Sequence, residues 1–304
     1  MGLFLTSRLA QAMVSMFIVS VMVFSIVRLS GDPLQMLLPD EAPPEQYESL
    51  KKQLSLDKPI YVQYWKWISG VLVGDLGVSN TTRVPVSELL AERLPATIQL
   101  AVAAFAITLG LALPIGVYAA AYRGSMLDKF ARGFAVLGQA QPSFWTAILA
   151  ILVFAVWLGW LPPGGKDGWK SVILPAVTLG WLPVAGLMRL TRSSMIQVLN
   201  SEYVKLARIK GVSEVQVLWK HALKNAALTV LTFSGLLFVG LITGSVITET
   251  VFSWPGVGRL VIDAVNDRDF PIIQGVVLIF SAWYIVMNLI VDVAYAYLNP
   301  KIRY

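Results

Sequence analysis

The stretch Leu94–Tyr122, LPATIQLAVAAFAITLGLALPIGVYAAAY, contains no Asp, Glu, Lys or Arg. A helix needs about 20 apolar residues to cross the hydrocarbon core of a bilayer, and this stretch is longer than that. The whole chain has the same character, because 56% of its 304 residues are hydrophobic and only 14% are charged. Soluble proteins carry roughly 25% charged residues. The sequence therefore predicts an all-α integral membrane protein.

Five further uncharged stretches are long enough to cross a membrane. In chain order the six predicted spans are Leu9–Val27, Leu94–Tyr122, Gly133–Gly165, Ser171–Met188, Asn225–Thr248 and Phe270–Val291. The third is longer than one span requires, and the polar residues near its start and the tryptophans near its end indicate that only its middle crosses. We expect six transmembrane helices, with both termini on one side of the membrane.

The distribution of basic residues predicts which side that is. If the N-terminus is cytoplasmic, more than half of the 24 Lys and Arg residues lie on the cytoplasmic side. The acidic residues on that side are Asp128, Glu202 and Glu214, while the chain has 18 in total. Because cytoplasmic segments are rich in Lys and Arg, we expect both termini in the cytoplasm.

The spans divide the chain into three regions. Residues 1–29 contain the N-terminus and the first span, which we interpret as an uncleaved signal anchor. Residues 30–93 form a proline-punctuated extracytoplasmic insert, and residues 94–304 contain the other five spans and a charged loop at 189–225. An aromatic patch in the insert is either an interfacial belt or a partner site. Its members are Tyr61, Tyr64, Trp65 and Trp67.

The charged loop includes NSEYVKLARIKGVSEVQVLWKHALKN (Asn200–Asn225), which we interpret as a helical hairpin. In its first helix, Tyr203, Leu206 and Ala207 share one face by their spacing. Gly211 is expected to end that helix in a left-handed conformation. Ser213 and Gln216 have capping-box spacing and start the second helix, whose apolar stripe is Val215, Leu218, Trp219 and Ala222. Such a hairpin could be solvated, lie on lipid or contact another protein.

Several kinds of chemistry are missing from the sequence. There is no cysteine and one histidine, so thiolate sites and sites with two histidines are excluded. No metalloprotease, serine-hydrolase or phosphate-loop motif is present. Asp292 lies at the cytoplasmic end of the sixth predicted span, and a charge there requires an internal partner, which we interpret as structural. The sequence therefore indicates neither an enzyme nor a protein that binds ATP through its own Walker motif.

The segment ETVFSWPGVGR (Glu249–Arg259) follows the fifth span and is rich in turn-forming residues. Irregular backbone at the rim of a membrane is tolerated where it lines a cavity or packs on protein. The segment is therefore either a gate or a rigid connection, and the sequence alone leaves both open.

Taken together, seven segments carry a family resemblance. They are Gly31-Asp32-Pro33, LSLDKPIYVQYWKWISGVLVGDLGVS (Leu54–Ser79), ERLPATIQL (Glu92–Leu100), RLTRSSMIQVL (Arg189–Leu199), EYVKLARIKG (Glu202–Gly211), HALKNA (His221–Ala226) and GSVITETVFSWPGVGRL (Gly244–Leu260). In this order they resemble the inner-membrane permeases of the dipeptide and oligopeptide class of ABC importers, over nearly the whole chain. The resemblance implies the type I importer permease architecture and a location in the bacterial inner membrane.

The resemblance also implies partners. Two ABC ATPase subunits would bind ATP and Mg²⁺, a second similar permease would complete the pathway, and an extracytoplasmic binding protein would deliver substrate. Membrane lipid surrounds the chain, no cofactor or metal is bound by it, and nucleic acid is not expected. Gly211 matches the central glycine of the loop that docks into the ATPase in such importers. The residues expected to couple to the ATPase are Glu202, Tyr203, Lys205, Leu206, Ala207, Arg208, Gly211, Ser213, His221 and Lys224.

The implied mechanism is alternating access, in which His221 packs or forms hydrogen bonds and does not catalyse. Polar side chains at depth prefer a wet interior to lipid, which suggests a set of residues along the translocation path. That set is Gln139, Gln141, Thr243, Ser245, Thr248 and Glu249. The cargo is expected to be a di- or oligopeptide. The same machinery carrying glutathione, a nickel chelate or an oligosaccharide is the alternative, with an ion-coupled carrier and a membrane enzyme as more distant ones.

Overall fold

The computed structural model describes residues 2–30, 43–53 and 56–298. The Gly31-Asp32-Pro33 motif and the basic residues Lys301 and Arg303 lie outside the described residues. Within them the chain is almost entirely helical, and one isolated antiparallel bridge joins Val78 to Pro85.

The helices are, in chain order, α1 (Gly2–Ser30), α2 (Pro44–Gln53), α3 (Ile60–Leu72), α4 (Val86–Ala121), α5 (Met126–Ala140), α6 (Ser143–Ala150, continued by a π-helix, Ile151–Trp157), α7 (Lys170–Leu199), α8 (Glu202–Ile209), α9 (Glu214–Gln216, continued by a π-helix, Val217–Ala222), α10 (Leu223–Thr243), α11 (Ser245–Val251), α12 (Val257–Asn266) and α13 (Phe270–Leu298).

Five helical stretches in the described part of the chain are long and apolar enough to cross a membrane. They are Thr6–Leu29, Val86–Ala121, Lys170–Leu199, Glu214–Thr243 and Phe270–Val293. A sixth crossing results if the bent pair Met126–Ala140 and Ser143–Trp157 counts as one span. The expected all-α membrane architecture is therefore confirmed, with one span of unusual shape.

The third predicted span, Gly133–Gly165, is not one continuous helix. Helices α5 and α6 meet at an angle of 108°. Gln141 between them is extended, with φ −95° and ψ 132°. Pro142 explains the break, because a proline disfavours the helical conformation of the residue before it and has no N–H of its own to donate. The sequence indicated that only the middle of this stretch crosses, which agrees with a helix that begins after Pro142, but it did not predict the bend.

The membrane helices also extend beyond the uncharged stretches. Helix α4 begins at Val86, so the last residues of the predicted insert form its first turns. Helix α7 continues past Met188 to Leu199. The predicted fifth span, Asn225–Thr248, is interrupted at Gly244, where α10 ends and α11 begins. Lack of charge marks the hydrocarbon core, whereas a helix continues wherever its backbone hydrogen bonds and packing support it.

Helices α4 and α7 form the most extensive helix pair of the fold. Small residues allow this close packing. A Cβ atom on Gly116 would lie 2.8 Å from the Cβ of Thr191 and 2.9 Å from the carbonyl oxygen of Met188. Helix α5 also approaches α7 closely, since a Cβ on Gly138 would lie 2.7 Å from that of Ala185. Close backbone approach through small residues is the usual way in which membrane helices associate, and it makes α7 the centre of the bundle.

The aromatic patch of the insert is divided in two. The hydroxyl groups of Tyr64 and of Ser20 in α1 form a hydrogen bond of 2.7 Å. The Tyr64 ring also lies edge-on to the Phe24 ring, with 5.4 Å between the ring centres. Trp67 lies 5.5 Å from the same Phe24 ring. The other two members, Tyr61 and Trp65, are exposed. Half of the patch therefore packs α3 against α1, and the exposed half stays available for either a membrane interface or a partner.

Candidate functional site

Helix α8 has one buried and one exposed apolar face. Val204 and Ala207 are buried against Met195 and Leu199 at the end of α7. On the opposite face Tyr203, Leu206 and Ile209 are 41%, 55% and 80% exposed. The prediction that Tyr203, Leu206 and Ala207 share one face was therefore wrong about Ala207. Ala207 lies on the buried face with Val204, whereas Tyr203 and Leu206 are exposed.

The turn after α8 adopts the predicted conformation. Helix α8 ends at Ile209, and Gly211 has φ +75°. The N–H of Val212 donates to the carbonyl oxygen of Ala207 at 3.2 Å, which closes the last turn of the helix. Left-handed backbone costs a residue with a side chain roughly 1–2 kcal/mol, and glycine avoids that cost.

An ion pair links the two arms of the hairpin. Nε and Nη2 of Arg208 donate to the two carboxylate oxygens of Glu214 at 3.1 and 2.7 Å. The hydrogen bond to Glu214 raises the pKa of Arg208 above its usual value. Within the first arm, Nζ of Lys205 donates to Glu202 at 2.8 Å. The predicted coupling residues Glu202, Lys205 and Arg208 are thus all exposed and engaged in pairs on the surface of one hairpin.

The second arm differs from the prediction in its cap and in its stripe. Ser213 occupies the N-cap position, but its side chain makes no capping hydrogen bond. The buried residues are Val217, Leu218 and Ala222, while the predicted stripe residues Val215 and Trp219 are at the surface. A π-helical stretch at Val217–Ala222 has more residues per turn than an α-helix, which rotates the buried face away from the expected spacing.

This second arm is continuous with a membrane helix. Glu214–Thr243 forms one uninterrupted helical stretch, including α10. Trp219 also contacts α4, because its ring lies 6.2 Å from that of Tyr118 and its Nε1 donates to the Tyr118 hydroxyl at 3.4 Å. His221 is half-buried, and its carbonyl oxygen accepts from Asn225 at 2.8 Å, while Lys224 is exposed. The hairpin is therefore joined to the transmembrane region by a continuous helix and by this contact with α4.

Sequence reasoning missed a buried ion pair next to the hairpin. Asp128 is 2% exposed, and its carboxylate accepts from Arg192 of α7 at 2.6 and 3.2 Å and from the Gly124 N–H at 3.0 Å. Arg132 adds a contact at 3.7 Å. Because Asp128 and Arg192 lie far apart in the chain, no local pattern indicates that they meet.

The residues predicted to line a translocation path do not form one cluster. Gln139 is exposed beside α7, and Gln141 lies at the α5–α6 break. Thr243 lines a separate cavity between α1 and α13. Ser245, Thr248 and Glu249 are buried. Of this set, Gln139 lines two cavities that Arg189 also lines. One lies between α5 and α7, and the other lies between α7 and α10.

Glu249 holds the connection between α11 and α12. Its carboxylate accepts from the N–H groups of Gly258 and Arg259 at 2.7 and 3.2 Å and from the Ser245 hydroxyl at 2.8 Å. A Cβ atom on Gly256 would collide with this carboxylate. Trp254 is fully buried and donates to the carbonyl oxygen of Ala96 at 2.9 Å. This packing is that of a rigid connection, one of the two alternatives that the sequence left open.

The intramembrane carboxylate has the partner that its location required. Asp292 lies 3.3 Å from Nε of Arg8, and both line a cavity between α1 and α13 with Gln11 and Asn288. The pair joins the first and last membrane helices, which supports a structural role for Asp292.

Two family models match the chain, one at residues 1–101 and one at residues 112–304. They describe the N-terminal part and the main part of the inner membrane component of binding-protein-dependent transport systems. The chain belongs to this family. It is therefore the permease subunit of an ABC importer, a multi-pass inner-membrane protein that works with an ATPase and a substrate-binding protein.

Full-length relatives support the assignment of this permease. The glutathione transport system permease protein GsiC of Escherichia coli O6:H1 is 43% identical over 302 residues, covering 99% of both chains. A protein of Brucella abortus (strain 2308), named for a peptide transport system, is 42% identical over 306 residues, covering 98% of both. The crystal structure of an amino acid ABC transporter with histidines has the same fold, with a TM-score of 0.51, 18% identity and coverage of 71% of the permease and 95% of that chain.

Proposed function

We propose that this permease imports peptides into the cytoplasm by alternating access, driven by ATP hydrolysis in separate ATPase subunits. The observation that carries the contact with the ATPase is the exposed apolar face of α8, formed by Tyr203, Leu206 and Ile209. Large apolar side chains grouped on a helix outside the membrane are costly to hydrate unless a partner covers them.

The hairpin is suited to transmit movement between an ATPase and the membrane. Its first arm presents the apolar face, the Arg208–Glu214 pair fixes the angle between the arms, and its second arm continues into α10. The proposed contact surface comprises Glu202, Tyr203, Lys205, Leu206, Arg208, Gly211 and Ser213, with Ala207, His221 and Lys224 supporting it. Two ATPase subunits binding ATP and Mg²⁺, and a second similar permease, would complete the importer.

The proposed cargo class is peptide, with glutathione as the second candidate. One relative, 43% identical, is named for glutathione transport, and another, 42% identical, is named for peptide transport. Glutathione is itself a tripeptide with free carboxylates, so one recognition chemistry could serve both. The cargo is tested by reconstituting the permease with its partner permease, ATPases and binding protein in liposomes. ATP-dependent uptake of dipeptides, glutathione and nickel chelates is then compared. Uptake of nickel chelates alone would overturn the peptide assignment.

The ATPase contact is tested by cross-linking, which the absence of cysteine makes simple. Ile209→Cys is expected to cross-link to an ATPase subunit in the assembled complex. Leu72→Cys on α3 is a matched control, since Leu72 is 81% exposed and Ile209 80%. With cytoplasmic termini, a membrane-impermeant thiol reagent added outside should label Leu72→Cys and not Ile209→Cys. Cross-linking from Leu72→Cys alone would contradict the assignment, as would ATP hydrolysis by the purified permease without partners.

A further inference from the structure

Two neighbouring cavities share the side chains of Gln139 and Arg189. One, of about 560 Å³, lies between α5 and α7. The other, of about 760 Å³, lies between α7 and α10. Ligand pockets for small molecules are typically about 300–1,000 Å³. Each cavity therefore has room for part of a small peptide, and Gln139 and Arg189 lie on the wall between them.

Arg189 differs from the other two arginines of the first cavity. Arg192 and Arg132 both lie close to the carboxylate of Asp128, at 2.6 and 3.7 Å. Among the residues that the structure describes, none forms a hydrogen bond or ion pair with the side chain of Arg189. Asp128 thus already has two cationic partners, and the charge of Arg189 is uncompensated.

The surroundings of Arg189 make an anionic ligand favourable. The cavity walls are mainly apolar, and the lining side chains include Ala135, Met188, Leu182 and Phe233. Arg189 is itself exposed, and it lines both cavities, so an anion that enters either of them can reach the guanidinium. The planar guanidinium can donate two parallel hydrogen bonds, a geometry that fits a carboxylate.

The wall of the second cavity is not wholly apolar. Besides Arg189, it presents the polar side chains of Gln139 and Ser193 and the small residue Gly186. Charged and polar side chains in membrane helices generally face a bundle interior or a water-filled cavity. The amide of Gln139 can both donate and accept, as recognition of a peptide group requires.

We propose that Arg189 binds the C-terminal carboxylate of the cargo during its passage and that Gln139 forms a hydrogen bond with the adjacent peptide group. The assignment rests on the proposed peptide import and adds to it a site that selects for negative charge. It also gives the two cavities one function, because a carboxylate at Arg189 leaves space on either side for the rest of the peptide.

The test compares dialanine with its C-terminal amide, and glutathione with its monoethyl ester, in the complete reconstituted importer. Each variant is compared with the wild-type permease, so discrimination by the binding protein cancels. Arg189→Gln should lower the acid-to-amide uptake ratio at least about tenfold, which corresponds to roughly 1.4 kcal/mol. Arg123→Gln, with the same loss of charge at an exposed turn outside both cavities, should leave the ratio unchanged.

The outcomes separate the possible sources of the anion. An unchanged ratio in Arg189→Gln would overturn the proposal. Equal losses for acid and amide, seen only when phosphatidylglycerol is added to phosphatidylcholine liposomes, would assign Arg189 to a lipid phosphate instead. If Arg189→Gln does not assemble, Arg189→Lys keeps the charge without the planar fork and should lower the ratio roughly threefold. Failure of the wild-type importer to take up any peptide would refute the proposed function, and this assignment with it.

Discussion

Arg208 and Glu214 face each other across the turn at Gly211 and are joined by two hydrogen bonds of 3.1 and 2.7 Å. Their side chains are 42% and 43% exposed, so water screens the pair. Exposed ion pairs contribute only about 0.2–1 kcal/mol to stability. We therefore expect the pair to affect the angle between the arms of the hairpin more than the stability of the protein.

Reversing one charge of this pair should uncouple the hairpin without unfolding it. Arg208→Glu and Glu214→Arg are each expected to lower ATP-dependent uptake several-fold, because like charges would push the arms apart. The double variant should recover most of the loss, and the free energy of unfolding should change by no more than about 1 kcal/mol. Uptake by the reconstituted importer is the measurement. Asp263→Asn, in the distant Arg259–Asp263 pair, is the control. Failure of the double variant to recover would contradict a pairwise role.

Gly211 should tolerate asparagine better than valine. Its φ of +75° is left-handed, and a Cβ atom there would meet nothing within 4 Å, so within this chain any penalty comes from the backbone alone. Asparagine adopts this conformation more readily than a β-branched residue does. Gly211→Val is expected to reduce transport-coupled ATPase activity sharply while membrane insertion stays normal, with Gly211→Asn between it and the wild type. Gly133→Ala, also in open space, controls for the added methyl group. Equal activity in the valine and asparagine variants would exclude the conformational explanation.

Neutralising Glu249 should destabilise the connection between α11 and α12. The buried carboxylate accepts from the N–H groups of Gly258 and Arg259 at the start of α12. Hydrogen bonds to charged groups contribute about 1.5–3 kcal/mol, and negative charge at a helix N-terminus adds to this. Glu249→Gln is expected to lower the Tm of the purified permease by several degrees, whereas the exposed Asp263→Asn should change it little. A Tm equal to that of the wild type would show that the carboxylate is dispensable.

Removing the charge of Asp128 should be more damaging than removing the whole pair. Asp128→Asn leaves Arg192, which is 23% exposed, without its partner between α5 and α7, so the loss should be below the roughly 3–5 kcal/mol of a fully buried pair. The double variant Asp128→Asn/Arg192→Gln is expected to regain part of that loss. Thermal unfolding of the three proteins in detergent measures the difference. If the double variant is no more stable than Asp128→Asn, the ion pair is not the source of the effect.

The candidate site was predictable where it depends on local chemistry. Gly211 was predicted to be left-handed because only glycine adopts that conformation at little cost. The hairpin was predicted from spacing and charge. The prediction of its buried face was partly wrong, since the π-helical stretch at Val217–Ala222 changes which residues are buried. The pairs Asp128–Arg192 and Arg8–Asp292 could not be predicted as pairs, because their members lie on different helices.

The sequence by itself determined that the chain is helical and spans a membrane, because long uncharged stretches are stable only when removed from water. It also located the charged hairpin at Asn200–Asn225 and contained the segments that resemble the permease family. The tertiary structure alone decided that α6 leaves α5 at Pro142 and that Glu249 is buried in a cap. It also decided that Arg189 lies between two cavities with no side-chain partner in the described part of the chain. Each of these depends on which side chains of distant segments meet, and a pattern read along the chain does not contain that information.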